Sequence, residues 1–199
     1  MAGLAESLKI IQYPHPTLRH VAKPIRRIDA EMLQVVRRMF DLMYEHKGIG
    51  LAATQVALPY RLFVLNLKGD PNEGEEHVFV NPVITKRKGL AEAEEGCLSL
   101  PGLYGDVKRS ENITLQAFNL QGQAVKHVCE DLFARAVQHE IDHLDGVLFI
   151  DRLTPTGELK VKDTLDEFTV NFAGRRRLGE VPSDEVLAAR LKELEQART

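Results

Sequence analysis

Tryptophan is absent from this 199-residue chain, and cysteine occurs only twice, at Cys97 and Cys129. Two thiols cannot build the disulfide framework that staples small exported domains, so a buried core must supply the stability and a reducing compartment, the cytoplasm, is expected. Long apolar runs are missing too. The longest uncharged stretch, Gly48 to Tyr60, is too short and too mixed to cross a bilayer, and no basic stretch followed by an apolar signal core opens the chain. No membrane partner and no export are therefore expected. Neither sign of charge dominates: 26 basic and 29 acidic side chains leave a net charge of -3, which offers no general attraction to DNA or other nucleic acid. Repeats and low-complexity segments are absent as well. With 44% hydrophobic residues, the chain suits one compact domain with a real core.

Prolines at 14, 16 and 24 break regular structure near the start and predict an extended arm over residues 1 to 28. A helix is predicted next, with Asp29 as N-cap, Met32, Val35, Val36, Met39, Phe40 and Met43 as a core stripe, and Gly48 as its stop. Strands are predicted over Arg61 to Leu67 and Val78 to Ile84, then a hairpin of Asn112 to Asn119 and Ala124 to Cys129 turning at Gln121-Gly122. A second helix runs from about Asp131 to Asp145 and stops at Gly146. Strands preceding a helix, without repeated strand-helix-strand units, indicate an α+β fold.

That second helix contains Gln138-His139-Glu140-Ile141-Asp142-His143. Residues four apart lie on one helix face roughly 6 Å from each other, so the imidazoles of His139 and His143 can share one divalent ion. Glu140, about 100° further round the helix, is better placed to reach a water at that ion than to bind it, the position of a general base. Composition alone would produce this pattern in a chain of this length roughly 0.02 times, so hydrolytic metal chemistry is the first reading.

A catalytic site of this kind needs three protein ligands and one open position. Downstream of His143 only carboxylates are available. Upstream, Cys129 lies in an alternating run that predicts a buried thiol, whereas Cys97 lies in Glu95-Gly96-Cys97-Leu98-Ser99-Leu100-Pro101-Gly102, where glycine allows close backbone approach to a ligand. Gly48-Ile49-Gly50-Leu51-Ala52-Ala53-Thr54-Gln55 has the same openness, and Gln55 offers an amide donor for a developing oxyanion. The stretch also fits a tight helix-to-strand turn.

Taken together and in this order, G-I-G-L-A-A-T-Q, E-G-C-L-S-L and Q-H-E-I-D-H-L resemble the three motifs of the peptide deformylases. The arm Tyr13-Pro14-x-Pro16-x-Leu18-Arg19 and the run Gly146-Val147-Leu148-Phe149 extend the resemblance over roughly Ile10 to Leu153. It implies an α+β fold with mixed or antiparallel sheets around a central metal-binding helix, and removal of the formyl group from the N-terminal methionine of newly made proteins. It also implies Cys97, His139 and His143 as metal ligands, Glu140 as acid and base, and Gln55 with the Leu98 backbone N-H as oxyanion donors. Gly50, with Ile49 beside it, would contact the substrate backbone. The implied cofactor is one Fe²⁺, replaceable by Zn²⁺ or Ni²⁺, acting through a bound water.

The catalytic domain is then expected at residues 1–153, arm included, with 154–199 as an extension carrying a short amphipathic helix after Pro182-Ser183. Arg175-Arg176-Arg177 reads as a solvated run, or as part of a tail that touches the ribosome while the enzyme meets N-formylmethionyl nascent peptides. Tyr104, Arg135 and Ala136 vary within such families, so the methionine pocket stays open, and Arg109 could join Glu95 or Asp142 or remain a surface ion pair. Two other readings use different ligands. A metallopeptidase would take Glu158, Asp163 or Glu167 in place of Cys97, and a non-catalytic site would close its fourth position with His127 or Cys129.

Overall fold

Asp29 ends an arm that is extended apart from two short 3-10 helices, Ala5–Ser7 and Pro16–Arg19, in the computed structural model, which describes residues 3–199. Its carboxylate accepts the Met32 N-H at 3.0 Å, satisfying a donor that the first helical turn leaves open. Helix α1 (Ala30–Glu45) follows, and the expected stripe of Met32, Val35, Val36, Met39, Phe40 and Met43 is buried, joined by Leu42. The stop differs from expectation. Lys47, at φ 57°, takes the left-handed position, its N-H bonding to Tyr44 and that of Gly48 bonding back to Met43 at 2.8 Å. Gly48 answers to packing instead: a Cβ there would sit 2.6 Å from Leu98 Cδ1.

Seven strands are present among the described residues: β1 (Gly50–Ala52), β2 (Leu62–Leu65), β3 (His77–Lys88), β4 (Ala91–Cys97), β5 (Leu100–Arg109), β6 (Asn112–Phe118) and β7 (Ala124–Glu130). Five form an antiparallel sheet in the order β1-β2-β3-β6-β7, and β4 and β5 form a separate two-stranded ribbon. The ribbon is not among the expected strands; residues 95–102 read only as a stretch with glycines and a proline. Glu92, Glu94, Glu95 and Gly96 are poor strand formers, and β4 alternates no apolar face, so neither propensity nor period could reveal it.

Helix α2 (Asp131–Leu144) lies against β1, β2 and β7 and is buried along Gln138 and Glu140–Leu144. Gly146 ends it at φ 73°, where a Cβ would also strike the Arg19 carbonyl at 2.7 Å. The arm crosses this end, with Ala22 N-H donating to the Leu144 carbonyl at 2.8 Å, and buries Leu8, Ile11, Leu18, Ala22 and Ile25. The fold is α+β, with antiparallel sheets around the histidine-bearing helix.

Past Leu153 the chain forms α3 (Pro155–Arg177) and α4 (Asp184–Arg198), where one short helix was expected. Helix α3 escapes a periodicity reading because Val161 is its one fully buried position. Its start was nevertheless marked by Thr154 as N-cap and Pro155 in the first turn. Helix α4 is capped by Ser183 and returns to the core: Leu194 joins the α1 cluster, and Tyr60 Oη donates to the Leu194 carbonyl at 3.2 Å. Arg198 then reaches Tyr60, Asp29 and Glu31.

Asp29 therefore caps α1 and faces the last helix at once. Asp29→Ala should lose the cap and the ion pair, lowering stability in urea by about 1–2 kcal/mol. Asp29→Ser keeps a cap of similar quality, so its smaller deficit, under about 1 kcal/mol for this solvent-screened pair, isolates the charge. Hydrogen bonds from Arg27 and from the Met32 N-H hold the Asp29 carboxyl well below its usual range. A depressed folded pKa stabilises above the unfolded value and is lost as pH falls, so the gap between wild type and Asp29→Ser should hold from pH 7 to 5 and shrink below about pH 4.

Candidate metal centre

On α2 the helical repeat brings His139 and His143 onto one face, their Nε2 atoms 3.2 Å apart. Cys97, the last residue of β4, brings its Sγ to 3.3 Å from His143 Nε2. All three donor atoms lie within 4.8 Å of one another. Nitrogen ligands at 2.0–2.1 Å and sulfur at about 2.3 Å around a tetrahedral ion stand about 3.3–3.6 Å apart, so these side chains fit a divalent metal with little movement. His139 Nδ1 is taken by Glu95 Oε2 at 2.9 Å, which turns the other ring nitrogen toward the centre.

Glu95 is buried and anchors more than the histidine. Arg109 gives it a two-pronged contact, Nε to Oε1 at 2.7 Å and Nη2 to Oε2 at 2.8 Å, and Arg135 adds Nη1 to Oε1 at 2.7 Å. Burial opposes the charged carboxylate, but Arg109 and His139 hold its pKa well below the usual range. Arg109 also reaches Asp142, which Arg152 grips from the other side. Both partners weighed for Arg109 are thus engaged, in a buried network rather than at the surface. Without an ion, burial opposes protonation of both imidazoles; contacts with Cys97 and Glu95 nevertheless raise His139 to about 10, while burial and the His139 charge push His143 well below its usual value.

A cavity of about 540 Å³ opens at the centre, walled by the Gly48-Ile49-Gly50 backbone, the β4–β5 ribbon and the Leu132, Arg135 and Ala136 face of α2. Glu140 also lines it, 4% exposed, with Oε2 making no hydrogen bond. Burial pushes its carboxyl up to about 7, against the pull of His139 and Arg109. Gly50 makes room for it, since a Cβ there would overlap the carboxylate. Gln55 is 1% exposed, and its Oε1 accepts the Ala52 N-H at 2.9 Å. Its Nε2 faces Cys97 Sγ at 3.3 Å and Ser99 Oγ at 3.2 Å. Leu98 occupies the two-residue turn between β4 and β5, next to Cys97.

The alternative ligands lie elsewhere. Glu158, Asp163 and Glu167 are on α3, His127 packs against Phe79 and Phe133, and Cys129 is a fully buried core thiol whose pKa burial raises to about 11. Sequence reasoning did not single out Ser99 or the bonds of Arg135. Their contacts join segments far apart in the chain, and no local pattern marks them.

The polypeptide deformylase family model matches residues 7–158. A peptide deformylase of Rhodopirellula baltica is 46% identical over 192 residues, 96% of each chain, so the likeness runs into the C-terminal helices. One from Neisseria gonorrhoeae is 43% identical over 158 residues, 79% of this chain and 93% of that one. Among solved structures, a plant peptide deformylase superposes with a TM-score of 0.84 at 39% identity, covering 92% of this chain and 99% of the other. A Plasmodium falciparum peptide deformylase gives 0.81 at 37% identity, covering 83% and 98%. With the family model spanning most of the chain and relatives of this identity along nearly all of it, the protein belongs to the polypeptide deformylases, the metal-dependent enzymes that remove the N-terminal formyl group from nascent peptides.

Proposed function

We propose that the chain deformylates the N-terminal formyl-methionine of newly made proteins, releasing formate, with Cys97, His139 and His143 holding the ion. The observation that carries this reading is the convergence of those three donor atoms at a cavity that Cys97, His139 and the buried Glu140, its Oε2 unpartnered, all line. A divalent ion held by Cys97, His139 and His143 would supply Lewis-acid chemistry and make water a better nucleophile at neutral pH. Glu140 accepts the water proton on Oε2 and later delivers it to the departing amine; a carboxyl held near neutrality by burial suits both transfers. The Gln55 N-H beside Cys97 Sγ and the Leu98 backbone N-H are the proposed donors to the developing oxyanion. The peptide is proposed to run extended along the open edge of β1, at Ile49 and Gly50, where main-chain bonding admits many sequences.

Residues 1–153 are proposed as the catalytic unit and 154–199 as its extension rather than a second domain, since Leu194 and Arg198 join the same core. A cytoplasmic location is proposed from the free thiol at the centre; among the described residues no helix is long and apolar enough to cross a membrane. The balanced charge supports no role for DNA. The C-terminal helices are the proposed ribosome contact, supported by exposed Leu159 and Leu178 and by the Arg175–Arg177 run. Reversing Arg175 and Arg177 to Glu should reduce cosedimentation with ribosomes, and unchanged cosedimentation would remove this contact.

Ferrous iron is the proposed resident ion, with zinc or nickel as substitutes: a borderline-soft Cys/His/His set accommodates all three, and although affinity order alone favours zinc, metal availability in the cell decides the occupant. Under anaerobic conditions the iron-loaded enzyme should release formate from a formyl-methionyl peptide faster than the zinc-loaded one. Equal rates would count against iron.

Glu140→Gln leaves the ligands untouched, so metal content should stay native while turnover drops at least ~10²- to 10⁴-fold. Gln55→Leu should cost roughly 10² to 10³ in turnover and, by leaving the buried Ala52 N-H unpaired, about 1–3 kcal/mol of stability. Gln55→Glu keeps that acceptor but brings a carboxylate beside Cys97 Sγ, so it should fold better than the Leu variant and turn over more slowly. Near-native turnover in either Gln55 variant would remove the residue from the oxyanion site.

A further inference from the structure

Arg135 stands on α2 one turn before His139, and its guanidinium leaves the helix to grip the β4–β5 ribbon. Nη1 donates to Glu95 Oε1 at 2.7 Å and to the Val107 carbonyl at 2.9 Å, Nη2 donates to the Ala91 carbonyl at 2.8 Å, and the Ala93 carbonyl lies 3.5 Å from Nη1. One side chain therefore holds main-chain oxygens from both strands of the ribbon together with the carboxylate that orients His139.

The ribbon needs such an anchor. Two strands alone form a marginal unit, β4 is largely exposed before Glu95, and yet Cys97 at its end must keep its sulfur 3.3 Å from a nitrogen on a different element. A closed circuit of contacts runs from Arg135 to Glu95, from Glu95 to His139, and back along one turn of α2. The planar guanidinium suits the task because its two terminal nitrogens serve different acceptors in fixed directions, whereas lysine would bring all its donors from one nitrogen.

The same residue lines the cavity between Leu132 and Ala136 with its side chain 13% exposed. Its head is fixed to the ribbon, so the methylene stem is what an apolar substrate side chain would touch. Cavity wall and ligand-bearing ribbon are thus parts of one side chain.

We propose that Arg135 is a positioning residue that couples the cavity wall to the Cys97/His139/His143 centre, holding the sulfur-bearing ribbon in register with α2 and orienting His139 through Glu95. The kinetic half of this inference rests on the deformylase reading; the metal-retention half does not. The test compares wild type, Arg135→Met and Arg135→Lys, each loaded with Co²⁺, by the visible absorption of the bound ion, its rate of transfer to a chelator, and kcat and KM on a formyl-methionyl peptide. Arg135→Met keeps a long apolar stem, so KM should stay within about twofold while kcat falls. Its Co²⁺ should be lost on the order of 10-fold faster or more, the scale of an outer contact to a metal ligand. Arg135→Lys should lie between the two and show a shifted cobalt spectrum. A merely structural role predicts a lower unfolding midpoint with native spectrum, native Co²⁺ release and native kcat in the folded protein, and that result would overturn the proposal. If Arg135→Met does not fold, Arg135→Lys decides: native release and spectrum there also overturn it. Wild type that releases no formate would instead sink the hydrolytic reading, and would leave the cobalt comparison standing.

Discussion

The buried carboxylate of Glu95 is the contact on which the rest of the site depends. Alone it could not stay ionised at 7% exposure, because removing a carboxylate from water costs several kcal/mol even after relaxation. Arg109, Arg135 and His139 meet it from three directions, and each belongs to an element that has to be held in place. Removing one partner of a buried pair typically costs 3–5 kcal/mol, a large part of the 5–15 kcal/mol by which a domain is stable at all. That cost reflects the charge left unpaired, and well-packed apolar groups in place of such a network are often as stable, so its work is less to add stability than to constrain geometry. It permits one placement of the ribbon against α2, the one that brings Cys97 to the histidines.

Steric room is the second constraint, and the glycines supply it by lacking a side chain rather than by adopting unusual backbone angles. Gly48 admits Leu98 and Gly50 admits the Glu140 carboxylate, so β1, the Leu98 turn and α2 can converge on one small volume. Gln55 then links two of these elements, accepting from Ala52 and donating toward Cys97 and Ser99. The Gly48 to Gln55 stretch is accordingly no tight turn: it holds strand β1 and the 3-10 turn that follows it, and it walls the cavity.

The ends of the chain close the back of the molecule. The arm crosses the C-terminal end of α2, and α4 packs on the arm at Pro16–Arg19 and sends Leu194 into the α1 cluster, with His20 and Glu195 joining arm and α4 at 2.8 Å. Arg198 lies over the Tyr60 ring, its guanidinium carbon 5.8 Å from the ring centroid. The likeness to the Rhodopirellula baltica protein reaches into these helices, whereas the family model ends at residue 158.

Local geometry explains which parts of this were legible in the sequence. A helix by itself places residues four apart on one face, so His139, Glu140 and His143 could be read together, as could the α1 stripe and the Asp29 cap. The Gln121-Gly122 turn likewise announced the β6–β7 hairpin, because turn chemistry lies within a few residues. Cys97 is 42 residues from His139, and only folding brings sulfur and nitrogen together; the motif resemblance could name the cysteine but could not position it. Helix α3, largely exposed, offers no buried stripe to read, while Glu95 with Arg135 and the ribbon built from poor strand formers were beyond local reading because their partners are distant. Their conformations are selected by contacts with distant segments, whose energies appear only once the tertiary structure has formed.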